Sequence, residues 1–286
     1  SVTWKPYGKR CRTYTIHTSE RRSPIYDLIC EEISNQRYLT MIQTERPDKD
    51  KVEHYNSDLG PIATWSFSAL QVFEQCPHRM YLKRVQKLEE PQHEAAARGT
   101  KIHDMAERWV MGELGEELPK ELGKLPASFE ALREAYDDGR VELEGDWGFD
   151  IEWQTCGWTD ESVWARVKCD AVEFEDETSI RVIDYKTGKK FGNELKHNQQ
   201  LMLYAVATFL RFPECQFVNA ELWYLDEGKT TSKSYTREMA MKFHPTWHER
   251  ALRMTTCSEF NPNPSKVNCR WCHYRKSRDC AWGVDP

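Results

Sequence analysis

The sequence predicts an α/β or α+β fold in which helices surround a β-sheet. In chain order, its patterns indicate two helices, a strand pair, a helix, a second strand pair and a final helix. The apolar period changes from 3.6 to 2 after residue 162 and returns to 3.6 near residue 197. With 286 residues, 39% hydrophobic and 12% aromatic, the chain can bury a substantial core, which excludes disorder as a description of the whole chain.

The helices are predicted from capping residues and apolar spacing. Ser66 is suited to cap a first helix that carries Leu70 and Phe73 and breaks at Cys76-Pro77. A second helix is predicted from about His93 to Met111, because its apolar residues recur at i, i+3, i+4 and i+7. Further helices are predicted near residues 129–136, 197–212 and 237–254.

The strands are predicted as two hairpins. The segments VWARVKCDAVEF (163–174) and SIRVIDYKTG (179–188) are β-branched runs separated by the turn-like sequence EDETS. AELWYL and KSYT flank DEGKTT and form the second predicted hairpin. The chain therefore divides into an N-terminal extension (1–60), a core (61–256) and a cysteine-rich tail (257–286).

The charge distribution is uneven. The net charge is −6, which by itself disfavours a nucleic-acid partner. Residues 111–150 carry −8, however, so the other 246 residues carry +2. We interpret 111–150 as an acidic helical insert that faces solvent, and the short basic stretches 181–190 and 266–280 as local surface able to bind phosphates.

Composition also excludes several classes of protein. No apolar run approaches the ~18 residues of a membrane span. The first residues lack the apolar segment of a secretory signal, so we expect a cytoplasmic protein, or a host-cytoplasmic one if it is viral. The ten cysteines are then expected to bind a metal or cluster rather than to form disulfides.

Two carboxylates and a lysine are expected to converge in the middle hairpin. Asp184 and Lys186 are two apart in a strand and so leave the same face, and Asp170 lies across the turn from them. Carboxylate oxygens bind Mg²⁺ or Mn²⁺, which can activate a water and neutralise charge on a scissile phosphate. The alternative from these three residues alone is a hairpin whose charges are merely solvated.

The cysteine tail contains three spaced ligands and requires a fourth. Cys269 and Cys272 form a Cys-x-x-Cys pair that is followed by Cys280. The local candidates for the fourth ligand are His273 and Cys257, and the distant candidate is Cys76 at the break of the first helix. Taken alone, the tail suggests a zinc site.

Four segments together resemble the RecB-like branch of the PD-(D/E)XK nuclease superfamily. Residues 98–103 match its GxxxH element, and Asp170 matches its first acidic position. Residues 183–188 match the (D/E)xK element with a Thr-Gly extension, and residues 200–204 match QxxxY. The resemblance spans residues 65–280, about three quarters of the chain.

The resemblance implies a restriction-endonuclease-like core with a mixed central sheet flanked by helices. It implies that His103, Asp170 and Asp184 bind the metal together with the Tyr185 backbone carbonyl, and that Lys186 is the catalytic lysine. It also implies that Gln200 and Tyr204 position the DNA backbone, and we add Lys189 and Lys190 of the adjacent basic stretch.

The resemblance also gives the cysteine tail a second interpretation. Cys76, Cys269, Cys272 and Cys280 are arranged like the ligands of a [4Fe–4S] cluster in relatives of this branch, with Zn²⁺ as the alternative. Such a cluster would link the tail to the end of the first helix through its bonds to the four thiolates.

The implied function is that of a metal-dependent DNA exonuclease acting on DNA with a free end. Proteins of recombination or of CRISPR systems are the candidate partners. The alternatives are an endonuclease on the same core and a non-catalytic nucleic-acid-binding module. No GxxxxGK[ST] phosphate loop of a helicase occurs in the sequence.

Overall fold

The computed structural model describes residues 58–188 and 190–286. All of these residues fall in the compact unit His54–Pro286. The extension that the sequence analysis assigns to residues 1–60 lies almost entirely outside the described residues, as does Lys189.

The described chain contains helices on both sides of a seven-stranded sheet. The helices are α1 (Phe67–Gln75), α2 (Pro77–Arg84), α3 (Glu94–Val110), α4 (Pro126–Asp137), α5 (Glu194–Arg211), α6 (Arg237–Met241), α7 (His244–Thr255), α8 (Lys266–Cys269) and α9 (His273–Lys276). The strands are β1 (Trp65–Ser66), β2 (Val141–Phe149), β3 (Thr155–Cys156), β4 (Ala165–Phe174), β5 (Ser179–Lys186), β6 (Phe217–Tyr224) and β7 (Lys229–Thr236).

The sheet is mixed. Its strand order is β3-β2-β4-β5-β6-β7, and β1 pairs separately with β4. β5 and β6 are parallel and are connected through α5, whereas β2–β4, β4–β5 and β6–β7 are antiparallel. The α/β fold with a mixed central sheet flanked by helices is thereby confirmed.

The two faces of the sheet carry separate hydrophobic cores. One core packs α1, α5 and α7 against the sheet, and the other packs α3 and α4 against it. The strand period of two divides β5 between them, with Val182 in the first core and Ile183 and Tyr185 in the second. The end of β5 therefore lies between α3 on one face and α5 on the other.

The first helix forms where its capping residue predicts. The Ser66 hydroxyl accepts a hydrogen bond from the Ala69 amide, which satisfies a free N–H of the first turn. The helix ends at Gln75, and Pro77 occupies the first turn of α2, where its missing N–H costs nothing. Cys76 thus lies at the corner between two helices.

The acidic segment 111–150 is part of the core, which corrects its interpretation as a helical insert. Phe129 and Leu132 of α4 are fully buried in the second core. Residues 141–149 form β2, which pairs with β4 along most of its length. Gly145, Gly148 and the acidic residues Glu142, Glu144 and Asp146 obscure the apolar alternation of this strand, so that its sequence resembles a loop.

The last predicted helix also differs from the expectation. Residues 237–254 form two helices, α6 and α7, with a break at residues 242–243. Pro245 lies in the first turn of α7, and a proline inside a continuous helix would remove a hydrogen bond and clash with the preceding turn.

Within the described residues, no helix combines the length and apolarity needed to cross a bilayer.

Candidate active site

The candidate site lies where strands β4 and β5 stop pairing. Their register runs from Phe174 opposite Ile180 to Ala171 opposite Ile183 and ends there. Beyond this point, the Tyr185 amide donates to Oδ2 of Asp170 at 2.5 Å, so that a side chain replaces the missing strand partner. The separation of the two strands turns the Asp170 carboxylate toward β5.

The opposite neighbour of β4 is also irregular at this position. The β2–β4 register passes over Glu144 and Asp170, although the residues on both sides are paired. Glu144 has a φ of 51°, in the left-handed region that non-glycine residues rarely adopt. Local irregularities of this kind redirect side chains near functional sites.

Asp170 is bound by His103 of α3. The carboxylate is only 8% exposed, and its Oδ1 lies 2.9 Å from Nδ1 of His103. Burial raises the pKa of Asp170, and the nearby charge of Asp184 raises it further against the opposing effect of His103. Burial lowers the pKa of His103, but its hydrogen bond and charge interaction with Asp170 bring the net shift above the ordinary value.

Asp184 is bound by two side chains of α5 and by a lysine. It is 7% exposed, and its Oδ1 accepts hydrogen bonds from Nε2 of Gln200 at 3.1 Å and from the hydroxyl of Tyr204. Gln200 Nε2 also donates to the Tyr204 hydroxyl at 2.7 Å. Oδ2 of Asp184 lies against the Lys186 ammonium and accepts no hydrogen bond of normal geometry from the described residues.

These contacts show where the predicted residues Gln200 and Tyr204 lie relative to Asp184. Gln200 and Tyr204 share one face of α5, as their spacing predicts, and both point at Asp184. Tyr204 is buried, so its hydroxyl supports the carboxylate in this structure. A contact of Gln200 or Tyr204 with DNA stays a prediction.

The donor set suits a small divalent cation. Two buried carboxylates and an imidazole are hard or borderline ligands, and the two carboxylates repel one another. Among the described residues, no group of three or more His, Cys, Asp or Glu side chains is already arranged around one metal position. The carboxylate oxygens are instead engaged by His103, Lys186, Gln200 and Tyr204.

Two residues of α5 belong to this region although the sequence analysis does not identify them. Lys196 lies one turn before Gln200, and burial together with the Lys186 charge lowers its pKa. None of the described carboxylates is within ion-pair distance of Lys196. His197 contacts the Tyr224 hydroxyl through Nδ1 at 2.8 Å. The spacing Lys196, Gln200, Tyr204 is the sequence signal that would have identified the lysine.

The segment after Lys186 is fixed to the β6–β7 hairpin. The Lys190 amide donates to Oε1 of Glu227 at 2.8 Å, and its ammonium lies 5.8 Å from the centroid of the Tyr224 ring. Arg98, from the segment that resembles GxxxH, forms a two-pronged ion pair with Asp226 at 2.7 and 2.9 Å. These contacts connect α3, the end of β5 and the hairpin around the candidate site.

The four cysteines of the predicted ligand set line one cavity. The cavity is small, about 20 Å³, and partly open to solvent, and it is bordered by Cys76, Cys269, Cys272 and Cys280 together with Arg79 and Trp282. All four thiols are free. Burial raises the pKa of Cys280, and the charges of the other three cysteines raise it further. Cys257 and His273, the local alternatives for a fourth ligand, do not border this cavity.

The tail is attached to the first two helices by hydrogen bonds of its own. The side-chain amides of Asn263 and Asn268 each donate to the Gln75 carbonyl at 3.1 Å, immediately before Cys76. The Tyr274 hydroxyl donates to the Leu88 carbonyl at 3.1 Å. The tail is therefore connected to α1 and to the segment after α2.

Comparison with known families gives one match. The model of the PD-(D/E)XK nuclease superfamily matches residues 64–162 and 151–277, which include the candidate site and most of the cysteine tail. No curated protein matches the chain.

Similar solved structures are remote. A provisionally assigned exonuclease from Eubacterium rectale is 14% identical with a TM-score of 0.48, over 82% of this chain and 94% of that one. LHK-Exo, an alkaline exonuclease from Laribacter hongkongensis, in complex with dAMP, is 13% identical with a TM-score of 0.33, over 67% of this chain and 87% of that one.

Proposed function

The chain belongs to the PD-(D/E)XK nuclease superfamily, and on this premise we propose that it is a divalent-metal-dependent DNA exonuclease of the RecB-like branch. The observation that carries the proposal is the pair of buried carboxylates, Asp170 and Asp184, beside Lys186 at the point where β4 and β5 separate. Buried carboxylates with few compensating cations are costly unless they have a role such as metal binding.

The proposed metal ligands are His103, Asp170, Asp184 and the Tyr185 backbone carbonyl. A bound Mg²⁺ or Mn²⁺ would supply an activated water and charge neutralisation at the scissile phosphate. Asp170 is oriented by the Tyr185 amide and by His103, and Asp184 is oriented by Gln200 and Tyr204. Fixed orientations of this kind are what a metal site requires from its surroundings.

Lys186 is proposed as the catalytic lysine. Its ammonium lies against Asp184 Oδ2 and is only partly exposed, so that its charge acts in a poorly solvated region. A cation held there can stabilise the negative charge that develops on a phosphate during cleavage. Gln200, Tyr204, Lys189 and Lys190 are proposed to position the DNA backbone next to it.

The cysteine cavity is proposed to hold a [4Fe–4S] cluster, with Zn²⁺ as the alternative. Four free thiols bordering one cavity are the donor set that either group requires. The ligands would come from the corner between α1 and α2 and from the tail, so the group would reinforce the attachment made by Asn263, Asn268 and Tyr274.

The remaining proposals concern domains and partners. We propose a nuclease core over residues 61–256, a tail over 257–286 and an N-terminal extension of undefined role. The substrate would be DNA with a free end, in recombination, repair or end processing, with recombination or CRISPR proteins as partners. An endonuclease on the same core and a non-catalytic nucleic-acid-binding module are the alternatives.

The experiment that tests the proposal compares three DNA forms with Mg²⁺ and with Mn²⁺. End-labelled single-stranded DNA, end-labelled duplex and covalently closed circular duplex are incubated with the wild-type protein, with Lys186→Ala and with Lys233→Ala. Lys233 is an exposed lysine of β7 and serves as the matched control. We expect the wild type and Lys233→Ala to degrade the ended forms only, and Lys186→Ala to degrade none.

The outcomes separate the alternatives. Cleavage of the closed circle would indicate an endonuclease. Binding without cleavage in either metal would indicate a non-catalytic module. Full activity of Lys186→Ala would contradict the assigned site. For the cysteine cavity, protein purified without oxygen is expected to be brown and to contain iron and sulfide, whereas colourless protein with stoichiometric zinc would favour the alternative.

A further inference from the structure

Two large apolar side chains stand in solvent next to the candidate active site. Phe191 is 88% exposed and Leu195 is 75% exposed. Phe191 lies in the segment that follows β5, five residues after Lys186, and Leu195 lies in the first turn of α5. Exposure of apolar side chains of this size beside charged residues is unfavourable unless a ligand or a partner covers them.

The exposure of Phe191 is built into a hydrogen-bonded segment. The Lys190 amide before it donates to Glu227 Oε1 at 2.8 Å, and the Gly192 amide after it donates to Glu194 Oε2 at 2.8 Å. Gly192 has a φ of 85°, a conformation that glycine adopts without strain. The backbone on both sides of the ring is thus fixed by these contacts while the ring itself points outward.

The same segment carries two lysines, Lys190 and Lys196. The Lys190 ammonium lies 5.8 Å from the centroid of the Tyr224 ring, and Tyr224 is the β6 partner of Lys186. Lys196, next to Leu195, is close enough to Lys186 and Asp184 to feel both charges. Lys190 directly precedes Phe191 and Lys196 directly follows Leu195, so each exposed apolar side chain has a lysine as its neighbour in the chain.

We propose that Phe191 and Leu195, here called the base platform, receive an unstacked nucleobase of the strand whose phosphates contact Lys186, Lys190 and Lys196. An aromatic ring flanked by cations is the composition of sites that bind single-stranded nucleic acid, because every base offers a face for stacking. The inference rests on the proposed function and adds that the strand is single-stranded beside the metal site.

A nucleobase fits this surface better than a protein does. Stable protein interfaces bury on the order of 1,200–2,000 Å² and are depleted in lysine at their centres, whereas here two isolated apolar side chains stand among lysines. Glu194 and Glu227 accept hydrogen bonds from backbone amides of this segment, and Glu227 also pairs with Lys229. Among the described residues, neither Lys190 nor Lys196 forms an ion pair, whereas Lys186 pairs with Asp184. The charge of the surface matches a phosphate backbone.

The test measures binding with and without bases at constant charge. Affinities are determined by fluorescence anisotropy in EDTA for a short oligothymidylate and for a fully abasic strand of the same length. The wild type is expected to prefer the strand with bases by about tenfold. Phe191→Ala should reduce this preference to about twofold without changing the affinity for the abasic strand, and Phe191→Trp should retain it.

Matched variants exclude indirect effects. Phe217→Ala removes another exposed phenylalanine, at the start of β6, and should preserve the preference. Lys190→Gln should flatten the salt dependence of binding, which Phe191→Ala should leave unchanged, because stacking releases no counterions. An undiminished preference in Phe191→Ala overturns the base platform. A change in self-association without a change in DNA affinity overturns it too.

The same protein preparations distinguish failure of the platform from failure of the proposed nuclease. If the wild type cleaves no DNA with Mg²⁺ or Mn²⁺ but Phe191→Ala loses the preference for bases, the nuclease proposal fails and the platform stands. If Lys186→Ala abolishes cleavage while Phe191→Ala behaves as the wild type in binding, the platform alone fails.

Discussion

The candidate metal site and the cysteine cavity differ in how their ligands are held. In the first, each carboxylate already has partners from neighbouring elements, such as Tyr204 for Asp184 and His103 for Asp170. In the second, the four thiols are free, and the hydrogen bonds that attach the tail run through neighbouring asparagines and a tyrosine. The carboxylates of the first site are oriented by neighbouring side chains, whereas the thiols of the second form no disulfide and lie beside a backbone that other residues hold in place.

This difference predicts opposite sensitivities. Two like charges buried together at the first site weaken the folded state, so removing one should cost activity and little stability. Thiols that bind a cluster contribute its binding energy to folding, so removing one should cost stability. Five substitutions test the contrast, in order of decreasing effect.

Replacing Asp184 by Asn keeps the shape and removes one buried charge. We expect cleavage with Mg²⁺ to fall by at least about 10³-fold, a barrier increase of about 4 kcal/mol, because the proposed ligand is lost. The free energy of unfolding should change by less than about 1 kcal/mol, since the repulsion of Asp170 is relieved. The control is Glu161→Gln at an exposed carboxylate, and a large loss of stability in Asp184→Asn would contradict the contrast.

Replacing Cys76 by Ser removes a proposed cluster ligand. The melting temperature should fall by about 6–12 °C, corresponding to about 3 kcal/mol, with loss of bound iron or zinc. Cys156→Ser changes a half-buried thiol away from the cavity and should shift melting by less than about 3 °C. Equal losses in the two variants, measured by calorimetry with metal analysis, would argue against a bound group.

Replacing Tyr204 by Phe removes one hydrogen bond from Asp184. A bond to a charged group contributes about 1.5–3 kcal/mol, and Gln200 remains to hold the carboxylate, so the cleavage rate should fall by about tenfold. Tyr235→Phe, at another buried tyrosine, is the control. An unchanged rate would show that the orientation of Asp184 does not depend on the hydroxyl.

Replacing Asn268 by Ala removes the side chain that joins the tail to α1. Loss of its bonds to the carbonyls of Gln75 and Asn263 should reduce the free energy of unfolding by about 1–2 kcal/mol, as measured in urea. Asn261→Ala, at an exposed position nearby, should have little effect. If Asn268→Ala is neutral, the attachment of the tail depends on its other contacts, such as those of Asn263 and Tyr274.

Replacing Lys196 by Gln has the smallest expected effect. Binding of single-stranded DNA should weaken by about threefold, and the slope of log affinity against log salt should decrease by about 0.7, as for one lost phosphate contact. Lys233→Gln should leave the slope unchanged. An unaltered slope in Lys196→Gln would place the lysine outside the path of the strand.

The sequence was most informative where a side chain and its spacing act locally. The two-residue separation of Asp184 and Lys186 and the one-turn separation of Gln200 and Tyr204 predict shared faces, and the structure has them. The sequence does not show that the Asp170 side chain takes the place of a strand partner for the Tyr185 amide. That contact depends on where the pairing between β4 and β5 ends.

The errors have two origins, tertiary pairing that the sequence does not show and local signals that were overlooked. β2 was missed because its glycines and acidic residues obscure a strand that tertiary pairing with β4 stabilises. The single helix expected over residues 237–254 ignored Pro245, which begins a new helix instead of continuing one. Lys196 was missed because the one-turn spacing of Gln200 and Tyr204 was not extended to the preceding turn of the same helix.

The hydrogen bond from Asn268 to Gln75 also has a consequence for synthesis of the chain, because it can form only after nearly the whole chain has been made. The two residues are separated by 193 positions, so α1 leaves the ribosome long before its partner exists. At typical synthesis rates of roughly 5–20 residues per second, the delay is about 10–40 s. During that interval, the end of the first helix and Cys76 lack their contacts with the tail. They are therefore accessible to chaperones and to proteins that deliver metals.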